Sequence, residues 1–257
     1  MRIILTGYTG HMGREVRTCA EATDHCEIVA GVDPMIPASE GICKKSFDEC
    51  TAEADVIIDF SHHSMTGALL DFAEAKKLPV VLATTGQTEE EKARILEASK
   101  AIPIFLAANY SLGIATLIDL VKRAAALYPD AEIEIVEQHH DRKLDAPSGT
   151  ALSLFNAVKE VRPEATANCG RSGQGKRTKD EIGIHAIRMG NIVGVHEVMI
   201  GTQNERISLK HEAFSRGVFA EGSLKAAAFL VGKKPGMYDM KDLLNEKLIL
   251  RAWEWFL

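Results

Sequence analysis

The stretch Arg2-Ile3-Ile4-Leu5-Thr6-Gly7-Tyr8-Thr9-Gly10-His11-Met12-Gly13, residues 2 to 13, passes from a run suited to a buried strand, through a glycine-punctuated turn, into a helical pattern beginning at about Met12. Strand, glycine turn and helix form the context that a dinucleotide-binding loop requires. The spacing is G-x-x-G-x-x-G rather than G-x-G-x-x-G, and the physical roles still fit: a tight turn, close backbone approach to a pyrophosphate, and close helix packing. The next strand-like run, Glu27 to Val32, ends at Asp33, twenty residues after Gly13, where a carboxylate can accept hydrogen bonds from an adenosine ribose. Pro34 and Met35 follow, and neither can pair with a 2′-phosphate. That tilts the choice between NADH and NADPH slightly towards NADH, although His11 and Arg14 lie close enough in sequence to weaken the tilt.

Working outward, a strand-and-helix rhythm continues: Val56 to Asp59, a helix from about Met65 to Ala75, Pro79 to Ala83, a helix from Glu89 to about Lys100, and Ile102 to Ala107. Such alternation predicts an α/β, Rossmann-like domain with a parallel sheet covered on both faces and ligands outside the carboxyl ends of the strands. Three strand ends therefore matter: Asp59-Phe60-Ser61-His62-His63, Ala83-Thr84-Thr85-Gly86 and Ala107-Ala108-Asn109-Tyr110-Ser111, whose small or hydroxyl residues suit a ribose or a nicotinamide. Adjacent His62 and His63, without a matching carboxylate and histidine set, make a poor ligand group, and no metal is expected. Ser111 or Asn109 can cap the next helix, which runs to about Leu127.

From Glu132 the texture changes. Glu132, Ile133, Glu134 and Ile135 alternate as a strand, a helix follows from about Ala151 to Val161, and three more strand-like runs cover Ile182 to Met189, Ile192 to Ile200 and Glu205 to Ala213, with turn-rich joints between them. This pattern predicts a second, α+β domain on an open mixed, largely antiparallel sheet, whose exposed edge or face is most simply covered by self-association. Residues 1–108 are thus read as a dinucleotide-binding domain completed by 217–257, and 109–216 as a substrate-binding and oligomerisation domain. A helix is expected from Gly217 to Leu230, and the apolar segment from Met240 to Leu257 is expected to pack back on the first domain.

The densest polar chemistry lies in Glu-Gln-His-His-Asp-Arg-Lys-Leu-Asp-Ala-Pro-Ser-Gly-Thr-Ala, residues 137 to 151. His139, His140 and Lys143 stand just before a helix start at Ser148-Gly149-Thr150, whose amides and hydroxyls can receive a carboxylate or phosphate. The substrate is expected to be an anion. A net charge of -6 gives no global reason to expect nucleic-acid binding. The basic stretch Arg171, Lys176, Arg177, Lys179 can be read either as a mobile anion-gathering loop or as a solvated one. The five cysteines show no C-x-x-C pair, and their odd number argues for reduced thiols in a cytosol. The apolar run at the start is too short for a signal peptide and no run approaches a membrane span, so a cytoplasmic location is expected.

Taken with GYTGHMG, ATTG, AANYSLG and GRSGQGKRTKDEIGIHAIRMGNIVGVHEV, the segment EIEIVEQHHDRKLDAPSGTA resembles the dihydrodipicolinate reductase family from residue 3 to about 240. The resemblance implies reduction of 4-hydroxy-tetrahydrodipicolinate to tetrahydrodipicolinate with loss of water, using NADH or NADPH, in lysine biosynthesis via diaminopimelate. It implies that His139 is the acid/base residue and Lys143 a proton donor, and that His140 and the Gly149 and Thr150 amides, with the Ser148 hydroxyl, hold substrate carboxylates. Coenzyme contacts would come from Gly7, Tyr8, Thr9, Gly10, His11, Met12, Asp33, Ala83, Thr84, Thr85, Ala107, Ala108, Asn109 and Tyr110, and the chain would form a homotetramer. The sequence departs from the family's pattern at Ala83 and Met189, where glycine is usual, and at Pro34-Met35, where NADPH-using members carry a basic residue. Two rivals are weaker. A semialdehyde dehydrogenase needs a nucleophilic cysteine, and Cys169 has no partner histidine in a motif. A non-catalytic dinucleotide sensor has no use for His139, Lys143 and an anion-binding helix start together.

Overall fold

In the computed structural model, which describes residues 1–246, the chain divides into two compact units, Met1–Ser111 with the segment from Arg216 onward, and Leu112–Ser215. The first unit contains β1 (Arg2–Thr6), α1 (His11–Glu21), β2 (Glu27–Val32), β3 (Cys43–Lys44), β4 (Val56–Asp59), α2 (Thr66–Lys76), β5 (Val80–Leu82), α3 (Glu89–Ala98) and β6 (Pro103–Leu106). The second unit contains α4 (Leu112–Leu127), β7 (Glu132–His139), α5 (Gly149–Lys159), β8 (Thr166–Cys169), β9 (Glu181–Arg188), β10 (Gly194–Gly201) and β11 (Arg206–Ala213). The chain then returns to the first unit with α6 (Gly217–Leu230) and β12 (Gly236–Tyr238).

The first unit is built on a seven-stranded sheet in the order β12-β6-β5-β4-β1-β2-β3, all pairings parallel. Parallel strands joined by helical crossovers are covered on both faces, so they read as continuous apolar runs rather than as alternation. Ile3, Ile4 and Leu5 are all fully buried. Ile4 and its neighbour Ile57 join Leu69 and Leu70 of α2 and Ile95 of α3 in one core. The helix α6 packs against α1 and against β4, β5 and β6. Because β2 lies on one side of β1 and β4 on the other, the strand order reverses there and opens a crevice at their carboxyl ends. The very short β3 and β12 carry too little pattern to be read as strands, and both sit at sheet edges. Of the expected closing segment, Met240 and Leu243 are buried, while Leu248, Ile249, Trp253 and Phe256 lie outside the described residues.

The second unit has a five-stranded mixed sheet in the order β11-β10-β7-β9-β8. β7 pairs antiparallel with β10 and parallel with β9, so the successive strands β9 and β10 do not form the hairpin that their turn-rich joint predicts. β7 takes the centre because its odd-numbered side chains continue a buried stripe on both neighbours: Ile133 and Ile135 beside Ile182 and Ile184, and beside Val198 and Ile200. The helices α4 and α5 pack on that stripe through Leu117, Val121, Leu154 and Val158. The strand also runs four residues further than the Glu132–Ile135 alternation shows, through His139.

Candidate active site

In the first unit, the crevice between the β1 and β4 ends is lined by the glycine loop. Gly7 has φ +73°, and a Cβ there would stand 2.3 Å from the Phe60 carbonyl oxygen; a Cβ on Gly13 would stand 2.2 Å from the Gly7 oxygen. Both contacts forbid a side chain, so the loop is folded down against the next strand end and the helix start. The N-cap of α1, Gly10, offers no side-chain cap, and the first turn holds no acidic residue. Its amides, unused by the helix ladder, fit a pyrophosphate.

Asp33 is buried, 4% exposed, and closes this loop: Oδ2 accepts the Thr9 amide (2.9 Å) and hydroxyl (2.5 Å), and Oδ1 accepts the Met35 amide (3.0 Å). Burial alone would raise its pKa, and these three hydrogen bonds outweigh it and lower it. Asp33 therefore serves the loop's own conformation first. Below it, the buried Asp59 ties the strand ends together, accepting from the Thr6 hydroxyl, from Ser61 Oγ (2.5 Å) and from Thr84 Oγ1 (2.6 Å). Thr84 is thus turned inward, while Thr85 and Ala108 are exposed beyond the carboxyl ends of β5 and β6. Tyr110, read as a coenzyme contact, is buried, and its hydroxyl donates to the Leu82 oxygen (2.9 Å). Its side chain is a strut inside the fold; removed from water, its phenol has a pKa well above the ordinary value. His62 and His63 also serve local structure: His63 Nδ1 meets Glu91, which closes the capping box of α3.

In the second unit, the buried stripe ends in polar groups. Glu137 and His139 follow Ile133 and Ile135 on β7; Arg188 lies beside His139 on β9, and His196 beside Glu137 on β10. Period-two geometry therefore gathers four polar side chains from three strands on one face. Glu137, fully buried, is the centre. Its Oε2 lies 2.5 Å from His139 Nδ1, its two oxygens accept both terminal nitrogens of Arg188 (2.8 and 2.7 Å), and Oε1 accepts the Ser148 amide (3.0 Å). Burial by itself would raise the carboxyl's pKa, but the bonds from His139, Arg188 and Ser148 bring it down to about 2.

His139 sits edge-on to His196, ring centroids 5.2 Å apart, and a Cβ on Gly194 would come within 3.2 Å of its Nε2. Burial and the neighbouring charge of His139 depress His196 to about 4, so it is neutral at pH 7. The Met189 amide donates to the His139 carbonyl (2.9 Å) and the His140 amide to that of Ile192 (2.8 Å), which fixes the chain leaving β7 against the turn after β9. Lys143 Nζ then pairs with Asp145 (2.7 Å), whose carbonyl accepts from Arg188 (2.6 Å). Ser148 is the N-cap of α5: its hydroxyl accepts the Ala151 amide and lies 3.2 Å from His196 Nε2, so this side chain is spent inside the protein. Gly149 and Thr150 occupy the first two helical positions.

The structure thus brings His139, His140, Lys143 and the α5 start into one neighbourhood. It adds Glu137, Arg188, His196 and Asp145, which motif reading passed over. A signal for three of them was present: each charged or imidazole side chain falls in the apolar phase of its own strand. The basic stretch is largely consumed by internal pairs, Arg171 with Glu181 and Arg177 with Glu134, so these two arginines are not held out for an anion.

Models of known families match the chain as Dihydrodipicolinate reductase, N-terminus, over residues 1–110, and Dihydrodipicolinate reductase, C-terminus, over residues 113–244. A protein named 4-hydroxy-tetrahydrodipicolinate reductase from Caldanaerobacter subterraneus subsp. tengcongensis is 48% identical over 248 residues, 96% of this chain and 99% of that protein. Its namesake from Clostridium tetani is 48% identical over 253 residues, 95% of this chain and 97% of that protein. A dipicolinate-bound dihydrodipicolinate reductase from Paenisporosarcina sp. TG-14 shares the fold, with a TM-score of 0.78 at 24% identity over 93% of this chain and 97% of that one.

Proposed function

Since the chain belongs to the dihydrodipicolinate reductase family, and so carries out the NAD(P)H-dependent reduction of 4-hydroxy-tetrahydrodipicolinate to tetrahydrodipicolinate with loss of water in lysine biosynthesis, we propose that His139 and Lys143 are the residues that manage its protons and charge. The observation that carries this reading is the Glu137–His139 contact at Nδ1, which leaves Nε2 as the ring nitrogen able to exchange a proton. When bound, a nicotinamide coenzyme would supply the hydride. The role of His139 is to deliver, from Nε2, the proton that the resulting electron-rich centre needs. Lys143, a cation on the loop beside it, stabilises the dianionic substrate and the developing charge. His140 and the amides of Gly149 and Thr150 hold the substrate carboxylates. Ser148 orients the helix start through its cap.

For the coenzyme, the residues that fit are the loop Gly7 to Met12, Asp33, and the strand-end positions Ala83 to Thr85 and Ala107 to Asn109, of which Thr85 and Ala108 are exposed. NADH is favoured over NADPH: the residue two after Asp33 is Met35, 86% exposed and uncharged, and Oδ1 of Asp33 keeps a lone pair for a ribose hydroxyl after binding the Met35 amide. The homotetramer reading draws support from the second unit, where both helices lie on one sheet face and the opposite face, with Val136 and Met199, has no helix over it among the described residues. A cytoplasmic location accords with five free cysteines and with the lack of any described helix long and apolar enough to cross a membrane.

The test is coenzyme oxidation with the substrate generated in the cuvette from pyruvate and aspartate semialdehyde by the preceding synthase. Oxidation requiring every component, faster with NADH than with NADPH, and lost in His139→Gln, is the expected result. Wild-type turnover in His139→Gln would remove that residue from the mechanism.

A further inference from the structure

The centre of the second-unit cluster is a buried ion pair, of which the reading above uses only the contact from Glu137 to His139. Glu137 has no exposed surface and its two oxygens receive four protein donors, so its charge is met wholly inside the fold and by groups of the site itself. Arg188 meets it in a two-pronged fork and, from the same guanidinium, reaches the Asp145 carbonyl. Asp145 in turn holds Lys143. The pair thus touches His139 through its carboxylate and the Lys143 loop through its guanidinium. We propose that Glu137 and Arg188 are positioning residues: Glu137 fixes the His139 ring with Nδ1 protonated and Nε2 presented to the substrate, and Arg188 locks the carboxylate and the loop that carries Lys143 in one arrangement.

This proposal rests on His139 being the acid, so the two must be able to fail separately. The charged and titratable groups around the His139 ring are Glu137, Arg188, His196, Lys143 and Asp145, with His211 behind His196. Of these, Glu137 alone makes a direct bond to the ring among the described contacts. Glu137→Gln should therefore lower kcat by roughly 10- to 100-fold, leave coenzyme affinity unchanged, and move the alkaline limb of the kcat/KM profile to lower pH, since the acid form is lost sooner without its counter-charge. A role confined to stability would not move that limb. Arg188→Lys keeps the charge but loses the fork, so it should lower kcat while leaving the limb near its wild-type position.

If Glu137→Gln does not fold, 15N side-chain spectra of the wild-type protein decide the matter: the neutral His139 ring should carry its proton on Nδ1. A proton on Nε2 instead, or wild-type kcat and limb in a folded Glu137→Gln while His139→Gln is inactive, overturns the positioning role. Wild-type turnover in His139→Gln overturns the acid assignment itself.

Discussion

The crevice of the first unit and the polar cluster of the second are made of different material. In the first unit the atoms aimed at the ligand space are mostly main chain: the amides at the start of α1, brought close by Gly7 and Gly13 and latched by Asp33. In the second they are side chains carried on strand ends, with a buried carboxylate holding them in register. A backbone site tolerates many side chains but no added Cβ at its tight points. A side-chain site tolerates backbone variation but depends on each charge being met. The difference suits the two tasks, since a pyrophosphate needs a rigid row of N–H groups and a proton transfer needs an ionisable group of set tautomer.

If the second-unit cluster works through charged side chains, Lys143→Ala should lower turnover by ~10²-fold or more while coenzyme affinity, measured by fluorescence titration, stays unchanged. Loss of coenzyme binding in that variant would break the separation between the two sites. The next effect is on stability. His196 is held neutral in the fold at about 4 against 6.5 in the unfolded chain, so between those values the unfolded state binds more protons and acid favours unfolding. Wild-type protein should lose on the order of 3 kcal/mol as the pH falls from 6.5 to 4, and His196→Gln should lack that slope in urea titrations. Glu137, depressed to about 2 from 4.5, withdraws its own contribution as the pH falls from about 4.5 towards 2, mostly below that window, so the His196 slope is read above pH 4.5.

For the backbone crevice, Gly13→Ala places a Cβ against the Gly7 and Tyr8 carbonyls and should weaken both coenzymes about 10-fold or more without altering the alkaline limb. A variant that binds as wild type would mean that the loop can shift to admit a methyl group. The smallest expected effect sharpens the role of Asp33. Asp33→Ala should weaken both coenzymes, because the Thr9 latch is lost, and NADH a further few-fold, because a ribose hydroxyl loses its acceptor. Equal losses would leave the latch as its whole function.

Most of the first unit was legible as sequence. Arg2–Thr6, Glu27–Val32, Val56–Asp59 and Gly217–Leu230 read directly, because strong apolar runs and glycine stops are local signals. Edge strands of two or three residues were not, since so short a segment owes its conformation to its neighbour. The residue types at His139, Lys143 and the α5 start were equally plain, because they fall within one short stretch. What the order of residues does not contain is who stands beside whom across a sheet. That β7 parts β9 from β10, and so sets Arg188 and His196 around Glu137, follows from where three apolar stripes bury best together. The inward turn of Tyr110, Thr84 and Ser148 is likewise a tertiary outcome, because a hydroxyl points to ligand or to protein according to which acceptors the fold leaves within its reach.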